Sequence, residues 1–156
     1  MVFFAGLLVT PLAQTPHLLR ATEPVATKDP RLSMLKHYLV ENAAPVAQHA
    51  EVFLRVADEF DLDWRLLPSL SMIESSGGKF YKNNNIFGWG NGHEVFPSVR
   101  AGIRQVADRL ANSKLYKDKD LEQILRTYNA NADYAARVKR VMRSIGPADV
   151  PISFVN

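Results

Sequence analysis

Five of the eight glycines, Gly77, Gly78, Gly88, Gly90 and Gly92, crowd into one short stretch of this chain. Glycine at that density forfeits too much backbone entropy to hold a helix, so residues 77–92 must form a loop. The segments on either side carry apolar residues at helical spacing, which makes the loop an insertion between helices. The segment before it, Leu66-Leu67-Pro68-Ser69-Leu70-Ser71-Met72-Ile73-Glu74-Ser75, is apolar almost throughout and closes on a single glutamate. Long loops inside compact domains are uncommon and usually carry function.

The remaining pattern reads as helices joined by short connections. Asp29-Pro30 is an N-cap followed by proline at the first helical position, and Leu32, Leu35, Tyr38 and Leu39 carry that helix to about Asn42. Pro45 opens a second helix with Val46, Ala50, Phe53, Val56, Ala57 and Phe60 on one face. Asp63 is expected to cap a third, Trp64 to Ser75, in which Pro68 falls early enough to be tolerated. A small β-hairpin is expected within the loop, around residues 86–96. Helix resumes at Pro97 with a stripe of Val99, Ile103, Val106, Ala107 and Leu110. Asp120 caps a short helix through Tyr128. Asn131 or Asp133 opens the last one, with Tyr134, Val138, Val141, Met142 and Ile145 inward and Gly146 at the C′ position. The expected fold is all-α with a minor β-hairpin lobe, one domain over residues 29–146 followed by a tail, 147–156.

Residues 1–28 read differently. Val2 to Ala13 resembles the apolar core of a secretory signal, without the basic residues that normally precede one. It is too short to span a bilayer, which takes about 20 apolar residues. Residues 14–28, with Pro16 and Pro24, read as a linker. Export to the cell envelope or beyond is the expectation, with no stable membrane span. The chain has no cysteine, so disulfides and thiolate-zinc sites are excluded. Its four histidines, His17, His37, His49 and His93, fit neither metal-ligand spacing nor a Ser-His-Asp triad. No phosphate-binding or dinucleotide glycine loop is present, and no cofactor or metal is expected. Between Val99 and Arg143, eleven Lys/Arg face five Asp/Glu. Such a half suits a polyanion, whether a cell-wall polymer or a nucleic acid, or is simply a solvated cationic surface.

Glu74 is the residue with the clearest chemistry. Leu70, Met72 and Ile73 put apolar bulk beside it, and desolvation favours the protonated carboxyl. A carboxylic acid that keeps its proton near neutrality can protonate the departing oxygen of a glycosidic bond. The structural alternative is a glutamate at a helix end that meets only water.

The motif string narrows this chemistry. Asp58-Glu59-Phe60-Asp61-Leu62-Asp63-Trp64-Arg65 followed by Leu66 to Ser75 resembles the helix-turn-helix that delivers the catalytic glutamate in the lysozyme-like superfamily. Asn84-Asn85-Ile86-Phe87-Gly88-Trp89-Gly90 is similar to the Asn-Asn-x-Phe-Gly loop of bacterial glucosaminidases of the autolysin and flagellar type. Tyr128-Asn129 and Tyr134-Ala135-Ala136-Arg137-Val138 resemble the Tyr-Asn and Tyr-Ala-x-x-Val segments shared with lytic transglycosylases. The resemblance covers residues 46–145. It implies a peptidoglycan glycosidase with Glu74 as general acid, Glu94 as the acid that activates water or steadies the cation, and Tyr128 near the acetamido group or anomeric centre. Ser75, Asn84, Asn85, Phe87, Trp89 and Asn129 would line the glycan, Trp89 as a stacking platform and Phe87 also as a loop anchor. A monomer acting on peptidoglycan or another N-acetylglucosamine polymer is the expected form. A lytic transglycosylase giving anhydro products, a non-catalytic wall-binding module and a nucleic-acid binder are the alternatives.

Overall fold

The computed structural model describes residues 29–150. The leader and linker of residues 1–28 and the tail from residue 151 onward lie outside them. The order of elements is α1 (Pro30–Glu41), a 3-10 turn (Pro45–His49), α2 (Ala50–Glu59), α3 (Leu66–Ser75), α4 (Val99–Asn112), α5 (Leu121–Tyr128) and α6 (Tyr134–Ile145). The fold is all-α. None of the helices among the described residues is long and apolar enough to cross a membrane.

α3 is the hub. Leu66 through Ser71 are all buried, so this helix has no solvent face over its first two turns, as its nearly unbroken apolar sequence requires. It packs against α6 and α2, while α2 leans on α4 and α1, and α5 lies against α6. Phe53, Phe87, Phe96, Leu35, Leu39 and Leu70 fill the centre. Each contributes roughly 1.5–3 kcal/mol by leaving water.

Side-chain caps mark where three of the six helices begin, and neither Asn131 nor Asp133 caps α6 with its side chain. The Asp29 carboxylate accepts from the Arg31 amide at 2.9 Å, with Pro30 in the first turn. Ser98 caps α4 by accepting from Ala101 N, so the helix starts just beyond Pro97. Asp120 and Gln123 form a reciprocal capping box at α5. α3 starts two residues later than expected, and Asp63 precedes it without capping it. Asp63 accepts from the Arg65 amide and guanidinium, Trp64 and Arg65 form a turn, and α3 begins at Leu66. Arg65 then reaches the Gly146 carbonyl at 2.9 Å, tying the start of α3 to the end of α6.

Two local expectations are corrected. The loop contains no β-hairpin, and there is no strand among the described residues. Asn83, Asn84, Gly88, Gly90, Asn91 and Gly92 all adopt positive φ, so one turn follows another and no extended run is long enough to pair. Ile86 and Phe87 are both fully buried, which strand alternation would forbid. Gly146 is extended at φ 163° and does not form a left-handed cap. A side chain there would meet Met34 Sδ at 3.1 Å and the Trp64 ring at 3.4 Å, so close packing explains the glycine. Left-handed residues close the first three helices instead, at Ala43, Asp61 and Ser76 with φ of 47°, 51° and 52°, the last directly after Glu74 and Ser75. The described part of the C-terminal tail lies on the domain: Trp64 Nε1 donates to the Ala148 carbonyl and Val150 packs against the core.

Candidate active site

Glu74 occupies the last turn of α3, half-buried, where that helix meets the glycine loop and the start of α6. Its two carboxylate oxygens have different surroundings. Oε1 accepts a 2.5 Å hydrogen bond from the hydroxyl of Tyr134, the first residue of α6. Oε2 faces Gly88, where a built Cβ would lie only 3.0 Å away. Gly88 is therefore required twice over, by its φ of 62° and by the carboxylate against it.

The loop is held to α3 by Ser75 and by its own asparagines. The buried Ser75 hydroxyl lies 2.8 Å from the Ile86 carbonyl and 3.0 Å from the Ser71 carbonyl, and accepts from Gly78 N. The Asn85 amide is buried and fully engaged: it accepts from Trp89 N, and donates to the carbonyls of Trp89 and Glu94. Asn84 donates to the Phe96 carbonyl. Phe87 is fully buried. These four, expected along the glycan, all brace the loop; the Asn84 amide oxygen alone among their polar side-chain atoms is left without a protein partner. Asn129 is exposed at the end of α5, where its side chain accepts from Asn131 N.

An aromatic file runs out from Glu74. Tyr134 stacks on Tyr128 with ring centroids 5.9 Å apart and planes within 9°. Tyr128 meets Trp89 edge-on at 5.5 Å, and Trp89 meets Tyr116 at 5.9 Å. Gly88, Trp89, Gly90, Leu115, Tyr116 and Tyr128 line an open cleft of about 290 Å³. Trp89 lies on this cleft. The Tyr128 hydroxyl, in contrast, points inward and donates to the Phe87 carbonyl at 2.6 Å. Only its ring borders the cleft.

The phenols act as fixed donors. Burial pushes the Tyr134 hydroxyl far above the ordinary tyrosine range, helped by its bond to Glu74 and the charges of Tyr128 and Glu74, and opposed by Arg137. Burial also raises Tyr128, with the Glu74 charge adding to it. Both phenols therefore keep their protons beyond the ordinary tyrosine range. Glu94 is not isolated either. Its carboxylate pairs with Arg109 at 2.7 Å, and that guanidinium covers Trp89 and Phe96 at 5.5 and 5.9 Å from their centroids.

Sequence reasoning missed three members of this arrangement. In the sequence Tyr134 reads as core and as the start of the Tyr-Ala-x-x-Val segment with no role of its own, Tyr116 carries no motif, and Arg109 is one cation in a basic half. The local signal is the Tyr-Ala-x-x-Val segment that begins at Tyr134, close after the tyrosine at 128. No group of three or more His, Cys, Asp or Glu able to hold a metal occurs among the described residues. Neither a protein-family model nor a curated protein matches this chain.

Proposed function

We propose that this protein is a lysozyme-like glycoside hydrolase acting on peptidoglycan, and that it works in the cell envelope after export. It cleaves a β-1,4 bond beside an N-acetylated amino sugar, with Glu74 as the general acid. The observation that carries this reading is the asymmetric holding of the Glu74 carboxyl. A phenol on Oε1 makes that oxygen the acceptor, which leaves the acidic proton for Oε2 on the side-chain-free Gly88 flank. A glycosidic oxygen approaching over Gly88 would receive that proton, and Trp89 would support a sugar ring in the adjoining cleft.

Glu94 supports a refinement. With its carboxylate held by Arg109, the second step relies on a group other than a free protein carboxylate. The substrate's acetamido oxygen can attack the anomeric carbon, water then opening the cyclic intermediate. The sugar 6-hydroxyl can instead attack to give an anhydro product, which is the transglycosylase alternative. Digestion of purified peptidoglycan, with mass spectrometry of the released ends, separates them. Reducing ends dependent on Glu74 identify a hydrolase, anhydro-muramyl ends a transglycosylase. No product dependent on Glu74, from a folded protein, leaves only a wall-binding module.

A further inference from the structure

Half of the ten arginines among the described residues have a carboxylate partner: Arg31, Arg65, Arg104, Arg109 and Arg126 are ion-paired. Of the other five, Arg55 and Arg100 stand singly on α2 and α4, while three lie together on α6. Arg137, Arg140 and Arg143 are exposed, and no ion pair among the described residues includes them. The contrast within α6 is sharp, because its other cation, Lys139, is neutralised by Glu122. Residues three apart are neighbours on a helix surface, so the three arginines climb about 9 Å along α6 in a row that winds about a third of the way around it. That row begins one turn after Tyr134, whose hydroxyl holds Glu74. Arg137 is near enough for its charge to act on that hydroxyl.

We infer that Arg137, heading the row with Arg140 and Arg143, is an anion-binding subsite beside the Glu74 cleft. It takes the carboxylates of an acidic amino-sugar strand with its peptide substituents, and so selects this substrate over neutral N-acetylglucosamine polymers. The guanidinium fork matches a carboxylate in bidentate fashion, and an unpaired surface arginine offers that fork without first breaking an ion pair. The row leads away from Glu74, so it grips the strand outside the reacting bond. This rests on the glycosidase reading for its ligand, but its test does not depend on catalysis.

The test uses the full chain carrying Glu74→Gln, which prevents digestion, and measures co-sedimentation with insoluble peptidoglycan and with chitin. Adding Arg137→Gln is expected to weaken binding to peptidoglycan about tenfold, to flatten its salt dependence, and to leave chitin binding unchanged. Arg137→Lys should recover part of the loss. In the active protein, Arg137→Gln should raise KM on peptidoglycan with kcat within about twofold, as a positioning group acting before the transition state does. Unchanged peptidoglycan binding by Arg137→Gln would overturn the inference, as would equal losses on chitin. Displacement from peptidoglycan by duplex DNA at lower concentration than by a soluble acidic muropeptide would overturn it too, making the row a nucleic-acid surface. If no Glu74-dependent product forms from the active protein, the glycosidase reading fails while the sedimentation result still decides Arg137.

Discussion

Gly88 and Glu74 are in contact across the loop: a methyl group on Gly88 would stand 3.0 Å from the Glu74 Oε2. With Tyr134 bonded to the other oxygen, the carboxyl is fixed between a helix start and a bare stretch of backbone. Two elements far apart in sequence are thereby made to agree on one side chain.

Alanine at position 88 tests that contact against its own control. Gly88 and Gly90 have nearly the same φ, 62° and 60°, so alanine costs each about 1–2 kcal/mol of left-handed strain. Only Gly88→Ala also pushes on the carboxylate, since the nearest atom to a Gly90 Cβ is 3.6 Å away. Displacing a reacting group by about 1 Å can cost roughly a hundredfold. Gly88→Ala should lower kcat at least tenfold while Gly90→Ala, equally destabilised, stays within about threefold. Equal activities in the two variants would remove Gly88 from the site.

Tyr134→Phe deletes the hydroxyl and keeps the ring stacked on Tyr128. A hydrogen bond to a charged group contributes about 1.5–3 kcal/mol, which corresponds to roughly ten- to hundredfold in rate if lost in the transition state. The expected result is a fall in kcat of that order with KM little changed. A variant as fast as the parent would show that the bond does not orient the acid.

The buried phenols set the alkaline limb of stability. Tyr38, Tyr116, Tyr128 and Tyr134 are all raised, chiefly by burial. Above pH about 10 the unfolded chain releases these protons while the folded chain keeps them, so stability falls as pH rises through that range. It is fully present below pH 10. Where the shift is large, as at Tyr128, the slope approaches about 1.4 kcal/mol per pH unit. Denaturant unfolding of Tyr128→Phe between pH 10 and 11 should therefore decline less steeply than that of the parent. Parallel curves would mean that this phenol titrates normally.

Glu94→Gln distinguishes one working carboxylate from two. Because Arg109 holds Glu94, the amide should leave peptidoglycan cleavage within about threefold. A general base or nucleophile contributes on the order of 10²–10⁴, and a loss of that size would restore Glu94 to the chemistry.

How far the sequence exposed all this depends on the range of each interaction. Asp29-Pro30, Asp120-Gln123 and the apolar stripes act within one helix turn, so helix number and most starts were legible. The loop was legible as a loop, but its path was not. Buried Ile86 and Phe87, and the Asn85 amide that binds back to Trp89 and Glu94, are decided by packing against α3 and α4. Asparagine beside a glycine-rich turn looks the same on paper whether it serves a ligand or its own backbone. Tyr134 was hidden for a related reason: an inward tyrosine on an amphipathic helix reads as packing, and its partner lies sixty residues upstream. Glu74 could be picked out because a lone carboxylate closes an otherwise apolar segment.

The most direct measurement compares wild type and Glu74→Gln on two substrates of one sugar sequence. One is a natural N-acetylated oligosaccharide and the other its 2,4-dinitrophenyl glycoside, whose leaving group departs without a proton. Proton donation by Glu74 predicts a loss of about 10² or more on the first and little loss on the second. Equal losses on both, or none on either, would contradict the assignment of Glu74 as the general acid.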